Sequence, residues 1–148
     1  MYASEFAVNA RVSAGFTRLA LEEPVAAAAA FRSALDEAPS HARASLGLRM
    51  ALACQGDFVE SEAMRVATEQ AIAELIRGER PDEASLVAAG QEIVDGRADA
   101  AIARLDQLLS DAPPGRTGWI IPVDPMLAGL RSTSGLTELL AKLAARAA

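Results

Sequence analysis

Between Arg43 and Thr68 the apolar residues fall at helical spacing on either side of one break. Leu46, Met50 and Ala53 form a stripe with Leu48 and Leu52 beside it. Phe58, Ala63, Met64 and Ala67 resume the pattern beyond Gln55-Gly56-Asp57. Gly56 suits the left-handed residue that ends a helix, and the Asp57 carboxylate suits the cap of the next one. Helix, glycine turn and helix predict an αα-hairpin whose apolar faces turn inward. One hairpin leaves apolar surface uncovered, so its pattern should recur.

The recurrence is arithmetic. Glu22, in Leu21-Glu22-Glu23-Pro24, lies 34 residues before Gly56, and Gly96 lies 40 residues after it. The same offsets align Ala27, Ser61 and Ala101, all small. They align Ala34 with Thr68 and Leu108, and Phe31 with Leu105, although Arg65 falls between these two. Pro39, Ala73 and Pro113 align near the ends of the second helices. The six extra residues of the second interval fit within 74–81, as a longer helix or loop. This predicts helix pairs over 8–21 and 24–37, 42–55 and 58–77, and 82–94 and 98–111. Residues 1–8 read as a ragged start with Tyr2 and Phe6 packed on the first helix.

Beyond residue 113 the pattern changes. Pro113-Pro114-Gly115-Arg116-Thr117-Gly118 reads as a turn-rich linker and 119–123 as extended or irregular chain. Asp124-Pro125 is a helix-start signal for a short helix through Leu130. Residues 136–147 predict an amphipathic helix with Leu136, Leu139, Leu140 and Leu143 on one face. A stack of hairpins exposes an apolar face at its end, and this helix is the expected cover.

The chain resembles the tetratricopeptide-repeat (TPR) family through Gln55-Gly56-Asp57-Phe58, through Ala27, Phe31, Ala34 and Pro39, and through Ala101, Leu105 and Pro113. The family's helix A is matched less closely, with Arg11, Ser45 and Ser85 where it often has Trp. The resemblance covers roughly residues 8–113. It implies an all-α, right-handed αα-hairpin solenoid with about three helix pairs, repeats near 8–39, 42–77 and 82–113, and a linker and capping segment at 114–148, all in one domain. It also implies a concave peptide-binding groove on the A helices. Projected onto this chain, that groove comprises Asn9, Val12, Phe16, Arg43, Leu46, Met50, Glu83 and Leu86. The surface would be mainly apolar and accept a peptide or an amphipathic helix. It lacks the lysine and asparagine constellation by which some members of the family grip a C-terminal carboxylate.

Composition narrows the function. Of the 148 residues 51% are hydrophobic but only 4% aromatic, so alanine carries much of the core, which favours close-packed helices. A net charge of −6, with Lys142 the only lysine, argues against nucleic acid, whose binding draws on basic patches. No apolar run is long enough to span a bilayer. One cysteine and no signal-peptide pattern suggest a cytoplasmic protein, and the tail, through Asp124, Pro125, Leu127 and Leu130, resembles the closing segment of many bacterial TPR proteins, which implies a bacterial setting.

Candidate chemistry is sparse. His41, the only histidine, reads as a solvated loop residue, and Cys54 as a buried structural thiol. One of each cannot build a structural zinc site. Glu60 with Glu62, and Asp36 with Glu37, read as solvated helix faces. Trp119 reads as a packing anchor for the tail in preference to a ligand contact. The leading expectation is a non-catalytic interaction module, adaptor or regulatory, with no cofactor and a protein or peptide partner. A self-associating module, a homodimer at its simplest, is the alternative. A sensor or enzyme with a pocket near Trp119 comes third.

Overall fold

The computed structural model describes residues 2–112 and 116–147. Among these residues the chain is all-α, with no strand. Its helices are α1 (Tyr2–Ala20), α2 (Pro24–Glu37), α3 (Ala42–Cys54), α4 (Phe58–Arg77), α5 (Pro81–Val94), α6 (Ala98–Asp111) and α7 (Ser134–Ala147). Two 3-10 helices, Arg116–Ile120 and Pro125–Leu130, stand between α6 and α7. The backbone clusters into two compact units, Met1–Gly78 and Glu79–Ala148. The first unit packs α1 on α2, α2 on α3 and α3 on α4. The second packs α5 on α6, the second 3-10 helix on α5, and α7 on α6.

The three hairpin turns close on the same backbone bonds. Gly56 and Gly96 have φ of 77° and 76°, and Glu22, their arithmetic counterpart, has φ of 60°. At each turn the left-handed residue donates to the carbonyl three back: Glu22 to Leu19, Gly56 to Ala53, Gly96 to Ile93. The next residue donates to the carbonyl five back: Glu23 to Arg18, Asp57 to Leu52, Arg97 to Glu92. This pair of bonds is the Schellman motif, which satisfies carbonyls that a helix end leaves open. Helix starts differ more. Pro24 and Pro81 open α2 and α5, while the Asp57 carboxylate accepts the Glu60 N–H at the start of α4. The six extra residues of the second interval lengthen α4 to 20 residues, against 14 each in α2 and α6.

In the first unit the fully buried Phe31 ring is the centre of packing. It lies where the side chains of Gly15 on α1 and Gly47 on α3 would otherwise be, and Phe16 meets it edge-on at 5.0 Å between centroids. Ala27, Ala34, Leu46 and Leu52 of the same unit are also buried. The aligned Ala27, Ser61 and Ala101 are all buried, and Ser61 Oγ donates to the Arg49 carbonyl at 3.1 Å. In the second unit Val87, Leu105, Leu109, Met126 and Leu130 form the core. Asp124 caps the second 3-10 helix by accepting the Met126 N–H. As expected, Leu139 and Leu143 of α7 are buried. Lys142 pairs with Asp106 at 2.7 Å, and the Arg146 guanidinium donates to the Ala112 carbonyl at the end of α6.

Several expectations are corrected. Helix α1 begins at Tyr2 and not near residue 8, because no Pro or Gly interrupts the first turns, and Phe6 is exposed on it. Residues 119–120, expected to be extended or irregular, close a 3-10 turn. Trp119 is 57% exposed and so does not anchor the tail as a buried core residue. Cys54 is exposed, since it ends α3 at the open side of the turn. The expected linker falls partly, and Pro113 wholly, outside the described residues.

Candidate interaction surfaces

The expected groove residues separate by burial. In the first unit Val12, Phe16 and Leu46 are core, Met50 is half-buried, and only Asn9 is fully exposed. In the second unit Leu86 is core and Glu83 half-buried. The apolar wall expected to face a partner is therefore closed within the free chain. The resemblance projected Val12 and Leu46 onto a concave face open to a partner; in the structure both are buried within the first unit, where α1, α2 and α3 are in mutual contact. Apart from the half-buried Met50, what remains accessible there is polar, Asn9 and Arg43. The Arg43 guanidinium lies 5.8 Å over the Phe16 ring, a cation–π arrangement that covers it.

His41 is not a solvated loop residue. It is half-buried at the N-cap of α3, where Nδ1 accepts the Ala44 N–H at 3.3 Å and Nε2 stands 3.2 Å from Asn9 Oδ1. One neutral tautomer serves both bonds, with its proton on Nε2 donated to Asn9. Histidine is outside the usual set of capping residues, so its position before α3 does not signal this role.

An apolar surface lies instead at the hairpin tips of the first unit. Leu21 is 60% exposed, Val25 71%, Phe58 71% and Val59 86%. Leu21 and Val25 flank the α1–α2 turn, and Phe58 and Val59 open α4. Gln55 Nε2 donates to the Pro24 carbonyl at 3.3 Å, tying the two tips side by side. Arg32 joins both Glu60 carboxylate oxygens, at 3.0 and 3.1 Å, linking α2 to α4 next to them. Glu22, Glu23, Asp57 and Glu60 make the surrounding polar surface predominantly acidic. Phe58 was expected on the inward stripe of α4. Periodicity gives the phase of a residue but not whether a neighbour reaches the first turn. Further along α4, Arg65 sits between Glu62 and Glu69; the hydrogen bond to Glu62, then the charges of both, raise its pKa. Glu60 and Glu62, like Asp36 and Glu37, are exposed, as expected.

The second unit carries a groove of about 770 Å³ between α5 and α6. Asp82, Ser85 and Glu92 line it from α5, and Ala103, Arg104 and Asp111 from α6. Trp119 does not line it. Glu92 and Arg104 form an ion pair across the hairpin, invisible in the sequence because neither residue belongs to an apolar pattern. Among the described residues no group of three or more His, Cys, Asp or Glu side chains could hold a metal ion, and no helix is long and apolar enough to cross a membrane.

The chain matches no protein-family model, no curated protein and no solved structure.

Proposed function

We propose that this chain is a non-catalytic helical-repeat module that binds a protein or peptide partner through the hairpin tips of its first unit. The exposed cluster of Leu21, Val25, Phe58 and Val59 carries the reading. Single exposed apolar residues are ordinary, whereas four large ones grouped on two tied turns mark a surface that another molecule covers. The acidic residues around them select for a partner that presents apolar anchors beside basic residues. An anionic membrane surface is disfavoured by the same charges. The fold reading is of TPR type, with right-handed αα-hairpin repeats; three identical turn motifs at intervals of 34 and 40 residues support it. A cytoplasmic setting belongs to the same proposal.

The test is Phe58→Ser with Val59→Ser. Both side chains are exposed, so each change should alter folding stability by less than about 0.5 kcal/mol. Partner anchors of this type contribute about 1–2 kcal/mol each, so the double variant should weaken capture by roughly a hundredfold. Affinity capture from the native source, with mass spectrometry, should recover a basic-flanked partner with the parent chain and not with the variant. Equal recovery by both would refute the reading. A parent dimer that the variant converts to a monomer, seen by light scattering, would assign the tips to self-association instead.

A further inference from the structure

We propose that the groove between α5 and α6 binds a cationic N–H donor, an ammonium or guanidinium on an aliphatic stem, at the Glu92 carboxylate. Glu92 is 6% exposed. Arg104 approaches it with Nε at 2.6 Å and Nη2 at 2.5 Å, and both contacts fall on Oε1. Oε2 is out of water and has no hydrogen-bond partner. A carboxylate oxygen buried without a donor costs the folded chain free energy, which a ligand N–H would return. The torsion that turns a glutamate carboxylate is broad, so Oε2 can swing into the groove that Glu92 lines.

The charge around the groove specifies a cation. Asp82, Glu92 and Asp111 line it against Arg97 and Arg104. Arg104 is engaged by Glu92, and Arg97 points to Asp95, which is not among the lining residues. Asp111 receives the Gln107 amide at 2.8 and 2.9 Å, a neutral donor that leaves its charge in place. An anion would meet this field unfavourably, and a neutral amide would gain little from it. Ala100, Ala103 and Leu108 supply the apolar wall on which a methylene stem can lie. A groove of about 770 Å³ has room for more than one side chain, within the range of pockets that hold small molecules. Two sources share this chemistry: a free aliphatic diamine, and a lysine or arginine side chain of a protein segment.

The experiment titrates the full chain, isotopically labelled for amide NMR, with three probes. Cadaverine represents the free diamine, and acetyl-Ala-Ala-Lys-Ala-Ala-amide the protein side chain. Tetramethylammonium carries the single charge of the lysine peptide's ammonium without an N–H. Cadaverine or the lysine peptide should give saturable shifts centred on Glu92 and Arg104, and whichever binds tighter identifies the source. Tetramethylammonium should bind about tenfold more weakly or worse, and so should either probe to Glu92→Gln. Arg104→Met releases Oε1 and should bind the preferred probe several-fold tighter. Should Glu92→Gln fail to fold, this gain in Arg104→Met stands as the deciding measurement. No localised shifts, equal binding of tetramethylammonium, or affinity unchanged in both variants would overturn the assignment. The site is separate from the hairpin tips, so its failure leaves the proposed partner surface standing.

Discussion

Gly47→Ala tests the packing of the first unit most directly. A Cβ built on Gly47 would lie 2.3 Å from Cε1 and Cζ of Phe31, and one on Gly15 2.6 Å from Cε1 of the same ring. Ordinary carbon contacts sit near 3.5 Å, so the ring must move by about 1.2 Å. It is fully buried, so a shift of that size disturbs the side chains packed on it, Phe16 among them. Overpacking of this kind costs about 1–3 kcal/mol, and the full burial of the displaced ring places this case at the upper end. Alanine regains about 1 kcal/mol of helix propensity over glycine. The net expectation is a loss of about 2 kcal/mol. In a unit of this size that is a fall in melting temperature of roughly 10 °C. Urea denaturation followed by far-ultraviolet circular dichroism measures it, read as a lower midpoint at unchanged slope. Phe31→Leu should partly rescue Gly47→Ala, with a coupling of about 1 kcal/mol or more. A Gly47→Ala chain as stable as the parent, or a strictly additive double variant, would refute the account.

Two further outcomes bear on the rest of the fold. Ala101 is fully buried where α5 and α6 meet, so Ala101→Phe should cost about 1–3 kcal/mol or more, and unchanged thermal stability would show that the third copy is misaligned. Ending the chain after Ser132 removes Leu139 and Leu143 and uncovers the face of α6 that α7 packs on, so the truncated chain should aggregate or lose cooperativity in thermal unfolding; one that stays monomeric and equally stable would refute the capping role.

The hairpins were legible because their turn chemistry is local. Gly56 and Asp57 announce a helix end and a cap in adjacent residues, and both act so. Residues 98–111 match α6 to the residue, since Gly96 and the apolar spacing bound it on both sides. The turn at Glu22 has no glycine; the 34-residue offset and Pro24, suited to a first helical position, pointed to it. Coverage was not legible. Val12 and Leu46 were projected onto an open groove from the resemblance, and a repeat pattern does not say whether such a position meets water or another helix. Phe58 and Cys54 failed in the opposite sense, being apolar residues at helix ends that nothing covers. The Glu92–Arg104 pair could not be read at all, because two charged residues twelve apart look like solvated surface until the hairpin brings them together.

The turn at Glu22 leaves stability in reserve. A left-handed backbone costs a residue with a side chain about 1–2 kcal/mol, a penalty that Gly56 and Gly96 do not carry. The first hairpin therefore holds its shape against a local bias, by the two bonds that Glu22 and Glu23 donate back to α1 and by the core beneath them. This makes it the hairpin with most to gain from a single exchange, Glu22→Gly, at the cost of one of the acidic residues that border the proposed tip surface.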